Sequence, residues 1–146
     1  MDSEIKFKIK ELSKKKWMKV SLIFEVLGTT REIVEKSLKE HIEKLEKIKT
    51  IFLYKKDFSK IEEVEKPMKN VEKAYSQIVE TEAMIKDIKT LIIIAISYGP
   101  SSIEILEPKK IEISAGEIQD ISNMISGVIH RFAASGIGGI IATPQK

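Results

Sequence analysis

The stretch KVSLIFEVL, residues 19–27, decides how the chain is read. Val20, Leu22, Phe24 and Val26 fall on one face, and Ser21, Ile23 and Glu25 on the other. Successive side chains of an extended strand point to opposite faces, so this alternation predicts a strand buried on one side. Gly28 ends it. Thr29 and Glu32 then form a capping box, in which each side chain satisfies an amide left free at a helix start. The helix is expected to run to about residue 47, with Val34, Leu38, Ile42, Leu45 and Ile48 as its apolar stripe.

Working outward, residues 51–56 read as a second strand. Residues 57–73, DFSKIEEVEKPMKNVEK, are charged and contain Pro67, which predicts a loop or irregular excursion, long for a hairpin connection. Residues 75–84 fit a third strand, with Val79, Thr81 and Ala83 facing one way and Ile78, Glu80 and Glu82 the other. Residues 87–98 are rich in β-branched side chains, and periodicity alone does not separate helix from strand there. Helix is preferred because Asp87 suits an N-cap, Ile88, Leu91, Ile92 and Ala95 form a stripe, and Gly99-Pro100 stops a helix. Residues 102–106 form a short fourth strand before Pro108, with residues 111–113 extending or flanking it. Ser114 and Glu117 open a second capping box and a last helix that stops at Ser135-Gly136.

Strand, helix, strand, strand, helix, strand in one sheet with right-handed crossovers is the α+β ferredoxin-like βαββαβ sandwich, here with an additional C-terminal helix. Its strand order, 4-1-3-2, puts residues 19–27 in the middle. The chain is thus divided into a basic N-terminal arm (1–16), a single α/β domain (17–135) and a flexible C-terminal tail (136–146).

Composition agrees with a folded protein: of 146 residues, 42% are hydrophobic and 32% charged. Without cysteine there is neither a disulfide framework nor a thiolate metal site. Abundant Lys, Glu and Ile resemble the usage of thermophilic archaeal proteins. The longest apolar run, residues 91–96, is far short of the roughly 20 residues that cross a bilayer, and residues 1–19 lack the apolar core of a signal peptide. A soluble, cytoplasmic protein without a membrane partner is expected.

Net charge is only +3, but lysines crowd the N-terminus. Lys14, Lys15, Lys16 and Lys19 surround Trp17, a basic cluster with one aromatic that suits RNA. Phe7 and Ile9 alternate with Lys6, Lys8 and Lys10, a pattern that equally fits an added edge strand. On the sheet face away from the helices, Glu25, Glu80 and Glu104, with Glu82 beside them, offer oxygen ligands for a hard divalent cation. The same acids, with no aromatics at the outward positions Ile23 and Ile78, argue against base stacking on the sheet as RRM-type modules do it.

His41 and His130 have no metal-pair or triad spacing, and no catalytic residue is assigned. Gly136-Ile-Gly-Gly139 follows a helix rather than preceding one, so it is not a phosphate loop. No motif names a cofactor. Ile118, Ile121, Ile125, Val128 and Phe132, spaced 3, 4, 3 and 4, make a narrow seam on the last helix that suits a homo-oligomer interface. The expected function is a non-catalytic binding or regulatory module, homo-oligomeric, that contacts a protein or small-molecule ligand. The alternatives are RNA or ribosome association through the lysine-rich arm, and a divalent-metal enzyme built on the acidic sheet face.

Overall fold

The computed structural model describes residues 2–68 and 70–135. It divides into two compact units, Met1–Lys109 and Lys110–Lys146. The first contains α1 (Ser3–Lys14), β1 (Met18–Gly28), α2 (Arg31–Glu46), β2 (Ile51–Phe58), β3 (Glu62–Met68), β4 (Val71–Ile85), α3 (Ile88–Tyr98) and β5 (Ser102–Glu107). The second contains α4 (Ala115–Ala134).

The architecture is mixed α+β, an open antiparallel sheet with four helices. Strand order is β2-β4-β1-β5, and β3 also pairs with β4. The helix-facing side of β1, from Met18 to Phe24, packs with Val79, Ala83 and Ile85 of β4 under Leu38, Ile42 and Leu45 of α2 and Leu91 and Ile94 of α3. This is the buried half of the alternation read at residues 19–27. Polar atoms within this layer find partners: the Thr81 hydroxyl donates to the Leu22 carbonyl at 2.8 Å.

Local signals set the helix ends. Thr30, one residue later than expected, caps α2, accepting from the Ile33 amide at 3.1 Å. Residues 87–98 are helical: Asp87 accepts from the Thr90 amide at 2.8 Å, and Gly99, at φ +55°, supplies the left-handed C-cap. The buried stripe of α3 is centred on Leu91 and Ile94 rather than on Leu91 and Ile92. Ser114 caps α4, accepting from the Glu117 amide at 3.1 Å. Residues 111–113 join no strand.

Two segments differ from expectation. The expected loop at 57–73 contains β3, which continues along the same edge of β4 that β2 occupies. Pairing runs from Ile51↔Ile85 to Phe58↔Val79, then from Glu62↔Ser76 to Met68↔Val71. Charge does not oppose a two-stranded ribbon when it is complementary across the strands. Glu65 faces Lys73, and the Lys73 ammonium lies 2.8 Å from Glu63, which raises the lysine's pKa. Pro67 falls where the register shifts, on an edge strand whose free amide row tolerates it.

The basic arm is also ordered: residues 3–14 are helical, not an edge strand. Ile5 and Ile9 are half-buried and Leu12 is buried, an i, i+4, i+7 stripe that outweighs the short two-residue alternation. The helix lies on the sheet face opposite α2 and α3. There Lys8 sits 4.2 Å above the Phe52 ring, and Met84, the partner of Phe52, is 1% exposed. The chain leaves α1 through a Schellman turn, with Trp17 donating to the Leu12 carbonyl and Lys16 to that of Ser13, both at 3.0 Å. Lys16 therefore stands at φ +71° where glycine is usual.

Candidate ligand-binding cleft

A single extra residue in β2 builds the site. Leu53 pairs with Ala83 and Lys55 with Glu82, so Tyr54 is a bulge without a partner of its own. An unbroken strand that buries Ile51 and Leu53 would send Lys55 and Asp57 toward the helices. The bulge reverses this and sends Lys56 and Phe58 there instead. Tyr54 is held by its hydroxyl, which donates to Glu82 at 2.7 Å, while Lys55 lies 3.8 Å from the same carboxylate. Burial first, and then the bond to Glu82, push the Tyr54 pKa well above its ordinary value.

Lys56 and Phe58 face the side of α2 that carries Glu35, Lys39, Glu43 and Glu46. Between them lies a cleft of about 320 Å³ floored by Ile42, Phe58 and Gln77. Its size is at the lower end for small-molecule sites. Lys56 pairs with Glu46 at one end. Glu35, Lys39 and Glu43 form no ion pair among the described residues.

Gln77 is the unusual member. It is 7% exposed, and its amide nitrogen donates to the Ser59 carbonyl at 3.0 Å. Its Oε1 is buried and accepts no hydrogen bond from any described residue. Ser59 is fixed in turn, its amide donating to Ile78 O at 2.8 Å and its hydroxyl accepting from the Ile78 amide at 3.0 Å. Buried amide oxygens are nearly always paired, so this one marks the floor of the cleft as a place where polarity is kept at some cost. Its signal in the sequence is that Gln77 continues the buried face of Val79, Thr81 and Ala83.

A smaller cleft, about 190 Å³, lies at the far end of α2 between Phe24, Ser37, His41 and Tyr98. His41 Nε2 donates to the Tyr98 carbonyl at 2.8 Å, and the ring stands edge-on to Phe24 at 5.5 Å. His41 thus pins α2 to the C-terminal turn of α3. His130 lies on α4.

The structure separates several residues that the sequence grouped. Glu25, Glu80 and Glu104 all lie on the sheet face away from α2 and α3, but on different cross-strand rows. Glu25 faces Ile78, Glu80 faces Ile23, and Ser21 lies between Glu82 and Glu104. Glu25 accepts from Ser76 at 3.3 Å, and Glu82 is engaged by Tyr54 and Lys55. Among the described residues no three carboxylate or histidine groups converge as a metal site requires. Lys14, Lys15 and Lys16 close α1, whereas Trp17 is half-buried and Lys19 is drawn onto the sheet by Glu107 at 3.4 Å. Ile118, Ile121, Ile125, Val128 and Phe132 all lie on α4. The glycines at 136–139 and the tail 136–146 lie outside the described residues.

A family model matches residues 19–146, from β1 through the C-terminal segment. The chain belongs to the MJ0538 family. The match takes in β1, the α2–β2–β4 cleft and α4, and it begins after α1. No curated protein and no solved structure matches the chain.

Proposed function

We propose that the chain is a non-catalytic binding module whose ligand, an amino-acid-sized zwitterion, sits between α2 and the β2–β4 hairpin. The observation that carries this reading is the cleft itself. Opposite charges rim a partly apolar floor, and that floor contains a buried amide oxygen with no protein partner. Glu35 and Glu43 suit an ammonium group and Lys39 a carboxylate, while Ile42 and Phe58 suit a short apolar body.

The test is a melting-temperature screen of the full chain against the free amino acids at millimolar concentration. A ligand at a hundred times its Kd adds about 2.7 kcal/mol, an upward shift of roughly 5–10 °C for a chain of this size. The shift should vanish in Lys39→Ala and Glu43→Gln without a change in the unliganded melting temperature. Absence of any shift, or a shift indifferent to both substitutions, refutes the reading.

Two finer readings accompany it. The fold is read as a ferredoxin-like sandwich with an extended hairpin, supported by the order β5-β1-β4-β2 once β2 and β3 are taken as one interrupted strand. Self-association is assigned to the α4 seam, supported by the spacing of Ile118, Ile121, Ile125, Val128 and Phe132 on a 20-residue helix. Light scattering of Ile125→Lys against the parent chain tests it, since a charged group in such a seam should leave only monomer.

A further inference from the structure

The helix α1 converts the lysine-rich N-terminus into a surface with two distinct sides. Ile5, Ile9 and Leu12 face the sheet, and Lys8 is taken up by the Phe52 ring. Lys6, Lys10 and Lys14, at i, i+4 and i+8, form a stripe on the outward side, and Lys15 and Lys16 extend it past the helix end. Beside this stripe stands Phe7, 66% exposed, three residues before Lys10 and seven before Lys14. An aromatic this exposed gains nothing from the core. Lys6, Lys10, Lys15 and Lys16 form no ion pair among the described residues, while Lys14 touches Glu11 only loosely at 3.8 Å.

We infer that the outward face of α1 docks a single-stranded nucleic acid, with Phe7 as a stacking platform and Lys6, Lys10, Lys14, Lys15 and Lys16 along the phosphates. This goes beyond the cleft and uses none of its residues. Complementary charge favours a polyanion, and the lone aromatic fits one unstacked base. A lipid surface needs a broad apolar face, and the apolar face of α1 is already spent on the sheet. The carboxylates of Glu80, Glu82 and Glu104 lie on the sheet face that α1 packs against, so a polyanion is confined to the outer side of the helix.

The test is fluorescence anisotropy of the full chain with a labelled oligouridylate 12-mer from 50 to 300 mM salt, beside vesicles containing phosphatidylserine. With about four phosphates neutralised, log K should fall with log salt at a slope near −3, and Lys10→Gln should reduce that slope by about 0.7. Phe7→Leu, exposed and helix-compatible, should weaken oligonucleotide binding roughly fivefold or more because stacking is lost. Circular dichroism confirms that each variant keeps its helix. Unchanged affinity in Phe7→Leu and Lys10→Gln, or no binding at 50 mM salt, overturns the inference. So does vesicle binding that survives Phe7→Leu while the oligonucleotide stays unbound.

Discussion

Gln77→Leu should leave the protein as stable as before or more so, although it replaces a residue that is 7% exposed. Three contributions decide the sign. The substitution removes a buried Oε1 that accepts no hydrogen bond from the described residues. Leaving such a group unpaired costs about 1–3 kcal/mol, so its removal is favourable by that amount. It also removes the 3.0 Å bond from Nε2 to the Ser59 carbonyl, a neutral interaction worth about 0.5–1.5 kcal/mol. Ser59 is exposed, so water takes over the bond to its carbonyl and no desolvation penalty follows. Leucine is close to glutamine in volume and meets Ile42 and Phe58 across the cleft floor, so strain and cavity terms stay small. The sum is between zero and about 2 kcal/mol of added stability. Urea unfolding at neutral pH measures it, as a midpoint that holds or rises with an unchanged slope. A loss of more than about 1.5 kcal/mol refutes the reasoning, because Gln77 would then be a structural hydrogen-bonder. Kept stability together with a lost amino-acid response is the outcome expected of a residue retained for binding.

Tyr54→Phe tests the bulge. The folded pKa of Tyr54 is raised, so its contribution is complete below the unfolded value near pH 10 and is lost as pH rises above it. Between pH 9 and 11.5 the urea midpoint of the parent chain should fall more steeply than that of the variant, and parallel curves would contradict this. Gly28→Ala should cost about 1–3 kcal/mol, since an added Cβ would lie 2.9 Å from Cγ2 of the fully buried Val34; unfolding midpoints check it. Lys16→Gly should raise stability by about 0.5–1 kcal/mol, because relief of the left-handed strain at φ +71° exceeds the entropy that glycine adds to the unfolded chain; a lower melting temperature would count against it.

The cleft and the basic helix have different origins in the chain. The cleft depends on residues far apart in sequence, Lys39 and Glu43 on α2, Phe58 on β2 and Gln77 on β4. The face of α1 is local, since helical spacing alone brings Phe7, Lys10 and Lys14 to one side. This is why the lysine cluster could be seen in the sequence as a candidate, while the cleft could not. Even so, only the structure separates Lys19 and Trp17 from that cluster, by pairing Lys19 with Glu107 and half-burying Trp17.

The sequence by itself determined what depends on neighbours within a few residues. Alternation at residues 19–27 and 75–84 set which side of β1 and β4 is buried, and capping residues set where α2, α3 and α4 begin. Those signals are short-range sterics and hydrogen bonds, and they act before the chain closes on itself. Tertiary structure decided the rest. Whether residues 57–73 loop out or pair depends on β4 offering an edge long enough for both β2 and β3. Whether residues 3–14 coil, extend or wind depends on a sheet face that lets Ile5, Ile9 and Leu12 be buried together. The candidate site itself rests on the one-residue slip at Tyr54. A single bulge reverses every side chain beyond it, and only cross-strand pairing with Glu82 records that it occurred.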